Sequence, residues 1–244
     1  MPLCEKEERE FAMLHDKCRE LKVMPPPAIF IGLKVEKGGS VLLEDMQRGH
    51  SWTRNYWNML FSIAAFSAGT TNTYDAGYLC SKEVGGTVRV STAYGCGINN
   101  RRAADGYNFR QAASSDASGI VVGTDDTAFD VNGHTLVAKI THGNTAGKLT
   151  YGDCVAGTLS YNSESKLWKQ LWGRVFYNDT DAAITVKETG LIYLAGNADA
   201  VFFSGLSSQY LLLERSVLAD PVTVPVGAQL TVTYEITMDF SAID

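Results

Sequence analysis

The sequence predicts a mainly β protein: an antiparallel β-sandwich or barrel-like domain with an N-terminal helical arm and one internal helix. Three observations predict it. Gln229 to Phe240 alternates strictly, with Leu230, Val232, Tyr234, Ile236, Met238 and Phe240 on one face and Thr231, Thr233, Glu235, Thr237 and Asp239 on the other. That is the pattern of a strand with one buried and one solvated face. Runs rich in β-branched and aromatic residues recur through the second half between Gly, Asn and Pro turns, as several antiparallel strands joined by short connections require. The 23 glycines against 6 prolines in 244 residues supply turns without a collagen-like or disordered bias. All-β domains of ~200–250 residues are common, so one domain accounts for the length.

Residues 1–27 read as a helical arm and a proline spacer. From Glu5 to Lys22, the residues Phe11, Leu14, Cys18 and Leu21 recur at spacings of three and four between charged faces, which places them on one helical stripe. These four are the candidate interface, because a short helix gains most of its stability by burying such a stripe. The stripe packs on its own domain or on a neighbouring subunit, and the spacing does not choose between them. Pro25-Pro26-Pro27 cannot continue the helix and favours an extended spacer.

Residues 28–244 read as a β-rich structural domain. Ala28 to Val35 suits a strand, and with the Lys37-Gly38-Gly39 turn and Val41 to Leu43 it predicts a hairpin. An internal helix is expected near 51–66, with Trp52, Tyr56, Met59, Leu60, Ile63 and Phe66 at helical spacing and Ser51 as its cap. The stretch 68–126 is loop-rich, with short β-like pieces at Thr87 to Ser91 and Gly119 to Val122; so long a loop region suggests a partner contact or surface feature. Asn132-Gly133, between Ala128 to Val131 and Thr135 to Ile140, predicts a tight hairpin. Strands are expected over Lys148–Tyr151, Gly157–Tyr161, Leu167–Tyr177, Ala183–Tyr193 and Tyr210–Val217. Val222 to Val224 and Pro225-Val226-Gly227 then lead into the last strand.

The formal charge of −6 opposes a surface built to neutralise phosphates, and the one dense basic spot is Arg101-Arg102. No nucleic-acid partner is expected. Cys4, Cys18, Cys80, Cys96 and Cys154 are an odd set with wide spacings, which reads as neither a disulfide framework nor a zinc site. The charged start MPLCEKEEREFAML lacks the apolar core of a secretory signal, and no run reaches the roughly 20 apolar residues of a membrane span. Folding in a reducing cytoplasm without membrane contact is expected.

Catalytic chemistry has no sequence signature. His15, His50, His134 and His142 form no H-E-x-x-H, and no G-x-S-x-G elbow is present. Asp125, Asp126 and Asp130 lack the alternation of a calcium loop and read as a solvated acidic turn. Gly95-Cys96-Gly97 lacks the strand and helix of a phosphate cradle. Glu188 and Glu214-Arg215 fall in strands and read as structural or interface charges. No enzyme activity, cofactor or metal is expected. Trp52, Trp57, Trp168 and Trp172 read first as core; if exposed, they suit a subunit interface or a sugar-stacking surface.

Four pieces, in order, carry a resemblance. They are His50 through Asn58 (HSWTRNYWN); Val121 through Gly123-Thr124 to Ile140-Thr141-His142-Gly143; Arg174 to Asn178 leading to Ile184 through Leu191; and Leu213-Glu214-Arg215 through Pro221–Pro225 to Thr231–Tyr234. Over roughly half of the chain this order resembles tailed-bacteriophage virion proteins of the capsid-associated, minor structural or tail-fibre type. The resemblance implies a β-sandwich-like module that assembles with copies of itself or with other virion proteins, and it transfers no catalytic residue. It implies residence in the virion after folding in the bacterial host cytoplasm. Head decoration, connector and tail component all fit, and a receptor- or glycan-binding module of a fibre, with a host glycan as partner, is the alternative. The helix and triple proline lie outside the pattern.

Overall fold

The computed structural model describes residues 5–49, 51–65, 80–90, 109–195, 209–241 and 243. Cys4, His50, Phe66, Gly95-Cys96-Gly97, Arg101-Arg102 and much of the 68–126 stretch lie outside the described residues. The elements are helix α1 (Glu5–Leu21), strands β1 (Ala28–Lys37), β2 (Ser40–Arg48) and β3 (Ser51–Trp52), helix α2 (Arg54–Ala65), then β4 (Cys80–Lys82), β5 (Val88–Val90), β6 (Gly119–Gly123), β7 (Thr150–Ala156), β8 (Ser160–Asn162), β9 (Leu167–Tyr177), β10 (Ile184–Ala195), β11 (Gln209–Val224) and β12 (Gln229–Asp239).

Two antiparallel sheets pack face to face. The first has the order β2-β1-β12-β9-β7, with β8 on β9; the second has the order β3-β11-β10-β6. Ile29, Ile31, Leu33 and Val35 of β1, Leu230, Val232 and Tyr234 of β12, and Trp172 and Phe176 of β9 fill the inner face of the first sheet. The β1–β2 hairpin turns through Gly38 and Gly39, whose φ values of 56° and 82° suit a two-residue turn that glycine accommodates without strain.

The second sheet is covered on both sides. Leu211 through Ser216 are six consecutive buried residues of β11, so successive side chains are buried whichever face they point to. The first sheet covers one face. The other carries α2, which contacts β11 and β4, and the 124–140 loop. Helix α2 begins after Thr53 rather than at a Ser51 cap: Ser51 pairs with Arg215 in β3, and the Thr53 carbonyl accepts the Tyr56 and Trp57 N–H groups. The Thr53 hydroxyl and the Asn55 side chain both donate to Leu212 O, at 2.7 and 3.2 Å, which fastens the helix start to β11.

The expected Asn132-Gly133 hairpin does not form. The turn itself is present, with Gly133 N–H donating to Asp130 O, but its flanks pair elsewhere. Ile140 N–H donates to Val122 O and Thr124 N–H to Ala138 O, so the second flank lies along β6 instead of along 128–131. Leu136 and Ile140 are both 3% exposed and join the core. Strand bounds also shift, most of all in three places. Thr150–Ala156 replaces Lys148–Tyr151, Ser160–Asn162 replaces Gly157–Tyr161, and Val222–Val224 is the end of β11. The last of these follows from a register shift between Val186 and Glu188, where 218–221 of β11 stand opposite Lys187 and pairing resumes at Val222 within the same strand.

Arg174, on the inner face of β9, is 1% exposed and ties the 109–120 segment to the first sheet. Its guanidinium donates to the carbonyls of Gly152, Ser118 and Ile120 at 2.9 to 3.0 Å and to that of Ser115, while lying over the Tyr151 ring. A fork of donors is required, because these carbonyls converge on one side chain through all three of its nitrogens. Arg174→Lys should therefore cost about 2–4 kcal/mol in urea unfolding, since a single ammonium leaves buried carbonyls unmet.

Candidate functional site

Three features stand out as places where this fold could act: the arm, the polar centre between and behind the sheets, and an exposed aromatic pair. The arm lies on the outer face of the first sheet. Phe11 is half-buried against Arg48, whose guanidinium carbon sits 3.4 Å from its ring centroid and 5.0 Å from that of Phe30. The register pairs Phe30 with Arg48 across β1 and β2, so the cation is stacked between helix and sheet. One turn on, His15 Nδ1 lies 3.7 Å from Asp239 of β12, and burial holds its imidazole below the ordinary histidine range. Cys18 completes this contact at 7% exposure.

Of the four predicted interface residues, the fold thus covers Phe11 and Cys18 and leaves Leu14 and Leu21 open, at 46% and 58% exposure. Helical geometry puts Leu14 and Leu21 on the flank of the stripe beside the two docked residues. Sequence spacing does not reveal this split, nor the part of His15. The docked face is rotated toward the sheet by the Arg48 stack, and Arg48 is separated from Phe11 by the whole of the spacer and first hairpin.

The polar centre grows from Glu214-Arg215-Ser216 on β11. Alternation sends Glu214 toward the first sheet and Arg215 to the opposite face. Arg215 Nε donates to Glu188 Oε2 at 2.6 Å, and its terminal nitrogens donate to the Thr127 and Ala128 carbonyls. Glu188, fully buried, accepts the Val137 and Ala138 N–H groups, and Gly123 faces it across the β6–β10 register. A Cβ at Gly123 would strike the Glu188 carboxylate and come within 2.7 Å of Ala138 O, so the close approach requires glycine. The paired structural charges expected for Glu188 and Arg215 meet across strands, although they are far apart in sequence.

On the other side, the Tyr234 hydroxyl of β12 lies 2.7 Å from Glu214 Oε2 and 2.8 Å from Thr189 Oγ1, and Ser216 Oγ donates to Glu214 Oε1. This is one polar link between the two sheets, beside the Arg174–Ile120 and Ala219–Gln47 hydrogen bonds. Glu214 has no exposed surface, and burial pushes its carboxyl up to about 7 despite the Ser216 and Tyr234 contacts. Burial and the adjacent Glu214 also raise the Tyr234 phenol well above its usual value.

The other polar residues singled out from sequence have structural partners. His142 Nδ1 accepts the Tyr151 N–H at 3.2 Å. Asp125 accepts the Thr127 N–H, Asp126 pairs with Lys187 at 2.8 Å, and Asp130 caps its own turn through the Asn132 N–H. Among the described residues, no three His, Cys, Asp or Glu side chains are grouped to hold a metal ion, and no helix is long and apolar enough to cross a membrane.

The tryptophans divide. Trp52 is buried and stacks on Tyr56 at 4.0 Å, and Trp172 is buried against Phe109 in an edge contact at 5.4 Å. Trp57 is 38% exposed on α2. Trp168, also 38% exposed, pairs across the β8–β9 register with Tyr161, ring centroids 4.9 Å apart. Trp168 and Trp172 point to the same side of β9, but Trp168 is left uncovered toward the strand end. No protein-family model, no curated protein and no solved structure matches this chain.

The pH dependence of stability follows from Glu214. A carboxyl whose folded pKa is raised from 4.5 to about 7 gives stability that is complete below pH 4.5 and lost as pH rises through 7. Wild type should lose on the order of 2–3 kcal/mol relative to Glu214→Gln between pH 5 and 8. Paired urea titrations of the two proteins isolate this group from the histidines; parallel pH profiles would refute the assignment.

Proposed function

We propose that this chain is a non-enzymatic structural subunit of a tailed-bacteriophage particle that assembles through subunit interfaces. The observation that carries the assembly reading is the arm: α1 docks on its own sheet with one half of its apolar stripe and presents Leu14 and Leu21 on the other half, with Met13 and Val23 also exposed. Apolar side chains grouped on an exposed helix suit a protein partner, and a partner covering this flank and the sheet beside it would reach the about 1,200–2,000 Å² of a specific interface. Supporting the virion assignment, the four ordered pieces of the resemblance fall on β3 and α2, on β6 and the loop after it, on β9 and β10, and on β11 and β12. They include strands of both sheets and the residues of the polar centre, while the arm lies outside them. The partners are copies of this chain or other virion proteins.

The Leu14→Asp, Leu21→Asp double variant should weaken self-association at least about tenfold in light scattering while leaving the melting temperature nearly unchanged. A wild-type chain that stays monomeric at high concentration and is not incorporated into particles would overturn the proposal.

The exposed Tyr161–Trp168 pair favours a second reading, a fibre module that binds a host glycan by ring stacking. A glycan array should then give signal with wild type and none with Trp168→Ala. An array blank for both proteins would remove this reading.

A further inference from the structure

Helix α1 is joined to the domain through a short, strained turn. Residues 18–23 close the helix as a Schellman motif: Val23 N–H donates to Cys18 O at 3.0 Å and Lys22 N–H to Arg19 O at 3.2 Å. That motif demands left-handed backbone just past the helix end, the usual place of a glycine. Here Lys22 takes it, at a φ of 53°, a conformation that a residue with a Cβ resists. Beyond the turn the chain is anchored again, since Pro25 is buried and Trp52 Nε1 donates to Pro27 O at 2.9 Å. Met24 precedes a proline and is steered to extended backbone. The adjustable part of the joint is therefore Lys22 and Val23, both exposed.

What this joint holds in place is lightly docked. Of residues 9–21, Phe11, His15 and Cys18 are the ones that are not exposed, about one for each turn of helix. His15 Nε2 is buried there with no hydrogen-bond partner, so the seat meets the helix imperfectly. A helix held by so narrow a contact detaches at little cost. The seat itself belongs to the ladder: Phe30 and Arg48 pair across β1 and β2, and Asp239 ends β12. Every copy of the chain presents the same seat, which fits the α1 of another copy as well as its own. Reciprocal exchange of an identical element is a low-cost route to a dimer, and a short hinge under strain invites it.

We propose that α1 is exchanged between two copies of the chain, each arm leaving its own sheet and laying Phe11, His15 and Cys18 on the seat formed by Phe30, Arg48 and Asp239 of the other. On opening, Lys22 moves to extended backbone and its strain is released in both chains. The docking contacts are kept, since those lost in one copy are regained on the other. Three extended residues, 22–24, reach ~10 Å, and the 17-residue helix adds ~25 Å, so the seat of an adjoining copy lies within range. The inference rests on the assembly reading; it names the partner as a second copy and the contact as a two-fold exchange of arms.

Sedimentation equilibrium of the full chain and two hinge variants tests it. Lys22→Gly removes the strain of the closed turn and should weaken dimerisation at least about tenfold. Val23→Pro removes the bond to Cys18 O and drives Lys22 to extended backbone, and should strengthen dimerisation at least about tenfold. In a mixture of isotope-labelled and unlabelled wild-type chains, nuclear Overhauser contacts should join the Phe11 ring of one chain to the Arg48 side chain of the other, a readout that needs no variant to fold. Phe11–Arg48 contacts confined within one chain of an associating wild type, or dimerisation constants that do not move in opposite directions in the two variants, overturn the exchange and leave assembly through Leu14 and Leu21 standing. A wild type that stays monomeric at high concentration also overturns the exchange, and the assembly reading falls with it when the chain is absent from particles as well.

Discussion

A strand buried on both faces carries Glu214, Arg215 and Ser216 in succession, and much of the structure around it satisfies that constraint. An ion left unpaired in such a place costs several kcal/mol. Arg215 is met by Glu188 from the neighbouring strand and by two loop carbonyls; Glu188 in turn takes two N–H groups from 137 and 138. The 124–140 loop is thereby drawn down over the second sheet, and Leu136 and Ile140 seal it there. Glu214 is met from the opposite side by Tyr234, so the same three residues also register the two sheets against each other.

Arginine plays a comparable organising part elsewhere. Arg174 gathers the carbonyls of 115–120 at the edge of the first sheet, and Arg48 is stacked between Phe11 of the arm and Phe30 of β1. In each case a planar cation holds a neighbouring segment against the first sheet. The consequence is a division of surfaces: the arm occupies the outer face of the first sheet, and a cleft lined by Arg54, Lys82, Asp130, His134 and Arg215 opens behind the second.

The legible parts of the sequence were those where one local period decides the outcome. Leu167–Tyr177 was readable to the residue, because its β-rich composition ends at Asn178-Asp179. Alternation in β12 placed Leu230, Val232 and Tyr234 inward, but Met238 continues the same face and is 37% exposed, while Thr237 is buried on the other face. Periodicity says which residues share a face; it does not say how far a covering layer extends. Likewise, Asn132-Gly133 gave a turn but no hairpin, because flanking backbone groups found better partners in β6 and Glu188.

By itself, then, the sequence determined the class of fold, the helical arm, the principal strands and which side chains share a face, since these follow from spacings of two and of three to four residues. Only the tertiary structure decided that Phe11 and Cys18 are covered while Leu14 and Leu21 are not, that Trp172 is core while Trp168 is surface, and that Arg54, Lys82, His134 and Arg215 line one cleft. The physical reason is range. Periodicity is set by the geometry of a single element, whereas coverage and convergence depend on contacts between residues tens to hundreds of positions apart, chosen by where the buried charges of β11 find their partners.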